Sequence, residues 1–239
     1  MRSMTLVAAL ALTACTEMTI QPVSSDGQKP QGVVEKANGR LDGRTLAQNF
    51  IAVVEAVEPV AERECRARTT GVNCDFQTVV DDRPNMPPNA FQTVDANGRP
   101  IVAFTVGLIA QARNHDELAF VMGHEAAHHI AGHLTRQRQA AQAGASVFGE
   151  LASLSGGGEQ VVRNAQQLGA AVGARSFSKE FELEADALGT VITQKSGFNP
   201  IRGAEFFTRI PDPGNKFLGT HPPNAARIAT VRRVARQGL

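Results

Sequence analysis

The sequence predicts an α+β domain, mainly helical, with a small mixed or antiparallel sheet beside one histidine-bearing helix. Three observations lead there. Apolar residues recur at helical spacing, first at Leu46, Phe50, Val53, Val57 and Val60. Residues 75–106 instead alternate or cluster as strands, with Asn97-Gly98 as a hairpin turn signal between two of them. The stretch VMGHEAAHHIAGH, residues 121–133, then puts four of the six histidines on one predicted helix.

The chain has 239 residues, 42% of them hydrophobic, enough for one sizeable core. Its 24 basic residues nearly balance 23 acidic ones, so no nucleic-acid partner is expected. It contains no Trp and no Tyr.

At the N-terminus, MRSMTLVAALALTAC has an early Arg2, an apolar run from Met4 to Leu12, and small residues before Cys15. The run is too short to span a bilayer and suits a secretory signal over residues 1–14. Leu12-Thr13-Ala14-Cys15 resembles the bacterial lipoprotein box, which implies a lipid on Cys15. Thr16 in place of Asp implies a periplasmic protein held on the inner leaflet of the outer membrane. Residues 15–40, rich in Gly, Pro, Ser and Gln, read as a flexible tether, and residues 41–239 as the folded domain. In an oxidising compartment the two remaining cysteines, Cys65 and Cys74, close a short loop as a disulfide contributing about 2–3 kcal/mol. A thiol metal site there lacks further nearby ligands.

The first helix runs toward Cys65. DFQTVVDD reads as a strand broken by PNMPP, and AFQTVDANGRPIVAFTV as a hairpin. Asn114 with Glu117 three residues on forms a helix cap, and the helix it starts is expected to continue past His133. Residues 137–174 read as two helices parted by Ser155-Gly156-Gly157-Gly158. The charge-free stretches there, 11 residues each, are too short to cross a membrane. KEFELEADALGTVITQ is helical up to Gly197 and Pro200. A short helix over PIRGAEFFTRI and a basic C-terminal helix over HPPNAARIATVRRVARQ complete the chain. The arginines of that last helix (Arg227, Arg232, Arg233, Arg236) read as a solvated face.

His124 and His128 are four residues apart, so on a helix both imidazoles reach one metal ion. Glu125 lies about 100° round the helix, outside coordination but within reach of a water molecule on the metal. HExxH on a helix thus supplies two zinc ligands and a general base for hydrolysis. His129 and His133 repeat the i,i+4 spacing without a base between them and read as surface residues or as supports behind the ligands. His115 reads as a surface residue. A catalytic zinc needs a third protein ligand and an open position. Glu182 and Asp186 form one i,i+4 pair on the later helix, Glu180 and Glu184 another, and spacing does not choose between them.

The segments NAF, GLIAQARNHDELAFVMGHEAAHHIAGH, SFSKEFELEADALG and THPPNAARI, in that order, resemble the HExxH…ExxxD zinc metallopeptidases of HtpX/BepA type, peptidase family M forty-eight. The resemblance covers about residues 75–235 and implies a zincin-like fold with one Zn²⁺ per chain. It implies Glu182 as the third ligand, with Asp186 behind a ligand histidine, and His221 and Arg227 at the edge of the active site. The N-terminal helix with Cys65 and Cys74 falls outside these motifs.

The expected activity is zinc-dependent endopeptidase action on envelope proteins, in periplasmic or outer-membrane quality control, with Glu125 as base. Zinc proteases often use Tyr to stabilise the oxyanion. Here His221 is the first candidate and Arg227 the second, although His221 could instead fill the open zinc position and keep the enzyme latent. Substrates are expected as extended polypeptides added to a sheet edge, taken to be the strand at RPIVAFTV. Two alternatives use the same metal: a chaperone-like or assembly-binding lipoprotein with latent proteolysis, and an amidase acting on peptidoglycan cross-links.

Overall fold

The computed structural model describes residues 42–237. The segments expected as signal peptide (1–14), lipid site (Cys15) and tether (15–40) all lie outside the described residues.

Helix α1 (Gly43–Arg68) starts where the Asp42 side chain accepts from Thr45 N–H at 3.0 Å. Its 3–4 spacing puts Phe50, Val53, Val57, Val60 and Cys65 on one buried face. A disulfide joins Cys65 to Cys74 just after the helix. Strands β1 (Gln77–Asp81), β2 (Ala90–Val94) and β3 (Pro100–Thr105) form a mixed sheet in the order β1-β3-β2. β1 runs parallel to β3, pairing Gln77 with Ile101, while β2 runs antiparallel, pairing Gln92 with Val102.

This order overturns the assignment of the RPIVAFTV strand as the edge. β3 pairs on both sides, and its continuous apolar run is the pattern of a strand covered on both faces: Val102, Ala103, Phe104 and Thr105 are all buried. The open edges among the described residues belong to β1 and β2. Phe104 meets Phe50 edge-on with ring centres 5.0 Å apart, joining sheet to α1 in a core that also holds Phe76, Leu118, Met122 and Ile192.

A short helix α2 (Val106–Gln111) leads to the central helix α3 (His115–Ile130), on which α1, the sheet and a later helix all pack. Asn114 caps α3 by accepting from Glu117 N–H at 3.0 Å. The Glu117 carboxylate is buried against Arg209 at 2.5 and 2.7 Å. α3 does not continue past His133. It stops at Ile130, and Gly132, at φ +67°, turns the chain in the left-handed region that glycine adopts without a Cβ penalty. α4 (His133–Leu154) therefore starts in a new direction, and His129 and His133 do not share a helical face.

α4 and α5 (Glu159–Ser176) form a hairpin turning at Ser155–Gly158. Among the described residues no helix is long and apolar enough to cross a membrane. α6 (Ser178–Lys195) returns across α3, followed by α7 (Pro200–Gly203), a 3₁₀ turn (Ala204–Thr208) and α8 (Asn224–Gln237). On α8, Arg232, Arg233 and Arg236 are exposed, but Arg227 is buried and faces inward. The solvated face expected of that helix therefore excludes Arg227.

Candidate metal centre

α3 and α6 approach through two glycines. A Cβ on Gly123 would lie 2.9 Å from the Gly189 carbonyl, and one on Gly189 would lie 2.8 Å from the His124 backbone nitrogen. This contact lets a short carboxylate on α6 reach imidazoles on α3. His124 and His128 stand one turn apart with their Nε2 atoms 3.0 Å from each other. Glu182 places Oε2 at 3.6 Å from His124 Nε2 and Oε1 at 3.4 Å from His128 Nε2. One ligand atom from each residue lies within 4.8 Å of the other two.

The donor set fits a divalent cation. Glu182 Oε2 is buried and has no hydrogen-bond partner among the described residues. His221 Nδ1 and Arg227 Nη2 come within 3.0 and 3.3 Å of it as ion-pair neighbours only. Leaving a buried carboxylate oxygen unsatisfied is costly, and a cation shared with two imidazoles would remove that cost. Two nitrogens and one oxygen form a set that suits zinc and leaves a position open.

Behind His124, Asp186 is fully buried with Oδ1 at 3.0 Å from Nδ1. Arg227 holds the Asp186 carboxylate in a fork, Nε at 2.8 Å and Nη2 at 2.7 Å, and lies over the Phe207 ring at 4.0 Å. Burial opposes ionisation of Asp186, but Arg227 and His124 outweigh it and hold the carboxyl below its usual range. Glu182 is likewise held low: burial opposes, while its pairing with His124, His128 and His221 prevails. In the metal-free protein, burial and Arg227 lower the pKa of His124, yet Asp186 and Glu182 raise it to about 9.

Glu125 is half-buried and lines the same cleft of about 790 Å³. Ala90, Phe91 and Gln92 of the open β2 edge form one wall, and His221, 53% exposed, comes from the loop before α8. Glu180 is exposed. Glu184 pairs with Arg136 at 2.8 Å. His115 is half-buried at the start of α3 and does not line the cleft. His129 is occupied elsewhere, Nε2 donating to the Asn73 carbonyl at 2.7 Å, which ties the disulfide loop to α3.

Of the two places expected for His133, at the surface or behind the ligands, it takes the second. It is 4% exposed, with Nδ1 at 2.8 Å from His128 Nδ1. Burial is the main cause pushing its pKa down, to about 4, so the ring is neutral. The signal for this placement was Gly132, the residue able to turn His133 back toward the helix it follows.

The pattern of Peptidase family M48 matches residues 49–235. The match includes α1 from residue 49 onward and the Cys65–Cys74 pair, which lie outside the histidine and carboxylate motifs. The chain is similar to proteins named beta-barrel assembly-enhancing protease. It is 30% identical to that of Escherichia coli over 162 residues and to that of Yersinia pestis over 171 residues, each covering 62% of this chain. A provisionally named Vibrio cholerae counterpart is 34% identical over 149 residues, 57% of this chain. The aligned parts make up 31–32% of those proteins, so the chain spans about a third of their length.

Proposed function

The chain belongs to peptidase family M48, and on that premise we propose that it is a zinc-dependent endopeptidase with one Zn²⁺ per chain. The convergence of His124, His128 and Glu182 within 4.8 Å, in a cleft that Glu125 also lines, carries the proposal. When bound there, zinc supplies Lewis acidity and brings the pKa of water toward neutrality. Glu125 takes the proton of the attacking water and passes it to the leaving amine. Asp186 holds the His124 ring, and Arg227 holds Asp186. With Arg227 so engaged, the exposed His221 is the better placed donor for the developing oxyanion, and Arg227 is the second candidate. An extended polypeptide adds along β2, whose open edge borders the cleft.

The N-terminal pattern supports residues 1–14 as a signal peptide, Cys15 as a lipid site, residues 15–40 as a tether and residues 41–239 as the peptidase domain. The protein would then sit in the periplasm on the inner leaflet of the outer membrane. The relatives' names support substrates among envelope proteins, in quality control or assembly.

One observation favours a second reading. His221 Nδ1 stands 3.0 Å from Glu182 Oε2, near enough for the loop to supply a fourth ligand. The protein would then be latent, or a binding lipoprotein with structural zinc. Zinc content and casein cleavage, measured on the full chain and its Glu125→Gln variant, separate these readings. The peptidase assignment predicts one zinc in both and cleavage by the wild type alone. Zinc in both with cleavage by neither would support latency and contradict an active peptidase.

A further inference from the structure

Each ligand histidine offers one nitrogen to the ligand cluster and carries its proton on the other. For His124 that second nitrogen faces Asp186. For His128 the second nitrogen is Nδ1, and it faces another imidazole, His133 Nδ1, at 2.8 Å. Proton bookkeeping allows one arrangement when His128 Nε2 keeps its lone pair toward His124 and Glu182. His128 then carries a proton on Nδ1 and donates to His133 Nδ1. His133 must accept there, so its own proton sits on Nε2, which lies 3.2 Å from Glu184 Oε2. The same carboxylate oxygen accepts from Arg136 Nη1 at 2.8 Å.

The rings are held as well as hydrogen-bonded. His133 stacks on Phe181 with centres 4.6 Å apart and planes 12° apart, and Arg136 lies over that Phe181 ring at 4.3 Å. The turn at Gly132 makes the contact possible, since it redirects the chain between His128 and His133.

We propose that His133 and Glu184 are positioning residues that fix the tautomer and ring orientation of His128 for metal binding. Under this proposal, which rests on the metal reading above, three acidic residues of α6 have separate tasks. Glu182 binds the metal, Asp186 holds His124 directly, and Glu184 holds His128 through His133. Partners behind a ligand imidazole typically change metal affinity by about 10–100-fold.

The test is zinc affinity, by competition between the full chain and a chromogenic chelator, for the wild type, His133→Phe, His133→Asn and Glu184→Ala. Phe keeps a flat ring against Phe181 but accepts no hydrogen bond. Asn places Oδ1 where the imidazole carries Nδ1. The expected result is zinc binding about 10–100-fold weaker for His133→Phe and a smaller loss for Glu184→Ala. His133→Asn should stay within about threefold of the wild type, because the acceptor is retained. A purely structural role would not be rescued by Asn. His133→Phe binding zinc as the wild type does, or His133→Asn as weak as Phe, would overturn the proposal. If His133→Phe fails to fold, Glu184→Ala decides, and unchanged affinity there would overturn it. A wild type that binds no zinc would sink the metal reading itself, and this proposal with it.

Discussion

Gly189→Ala tests whether the α3–α6 contact sets the geometry of the metal centre. A Cβ at residue 189 would sit 2.8 Å from the His124 backbone nitrogen and 2.9 Å from His124 Cα, both backbone atoms that cannot swing aside. Ordinary contact begins near 3.4 Å. The difference, 3.4 minus 2.8, requires α6 to move about 0.6 Å away from α3. Glu182 lies seven residues, two helical turns, before Gly189 on the same face, so it moves with that contact. Metal sites tolerate distance errors of about 0.2 Å, a third of that displacement. The variant should therefore lose about 1–3 kcal/mol in urea unfolding through overpacking. It should also bind zinc about tenfold or more weakly. Gly43→Ala, where a Cβ meets nothing within 4 Å, is the control and should change neither. Unchanged zinc affinity in a destabilised Gly189→Ala protein would refute the coupling between helix spacing and site.

Replacing Cys65 and Cys74 with Ala should lower stability in urea by about 2–3 kcal/mol, from loss of loop closure in the unfolded chain; an unchanged midpoint would contradict this. The metal-free protein should melt highest near pH 6.5, because His133, lowered from 6.5 to about 4, withdraws stability as pH falls below 6.5. His124 is raised from 6.5 to about 9, so its contribution is complete below pH 6.5 and is lost as pH rises through 9. Glu182 and Asp186 are depressed from 4.5 and 3.8, so theirs is complete above those values and is lost as pH falls. A melting temperature still rising between pH 7 and 9 would contradict the assignment for His124.

Local signals were legible in the sequence where one element decides them alone. The 3–4 spacing of α1, the Asn114 cap and the Asn97-Gly98 turn each depend on a few neighbouring residues. The end of α3 was not, because Gly132 falls inside a run whose histidines keep helical spacing, and only its left-handed conformation ends the helix. The position of β3 follows from pairing on both sides, which its own residues signal through the unbroken apolar run Ile101–Phe104. Glu182 and Glu180 are equivalent by i,i+4 spacing. What separates them is the side of α6 that meets α3: Glu182, Ala185, Asp186, Gly189 and Thr193 are all buried there. The small residues at 185 and 189 were the available signal. By charge pattern alone Arg227 read as one of four basic residues on a surface helix, because its partner Asp186 is 41 residues away in sequence; only the family resemblance placed it at the active site.

The most direct test of the proposed metal centre is the zinc stoichiometry of the wild type, Glu182→Gln and Glu180→Gln after dialysis against a weak chelator. One zinc per chain is expected in the wild type and in Glu180→Gln, and loss of it in Glu182→Gln, with melting of the metal-free proteins confirming that all three fold. Glu182→Gln retaining one zinc at wild-type affinity would contradict the proposed ligand set.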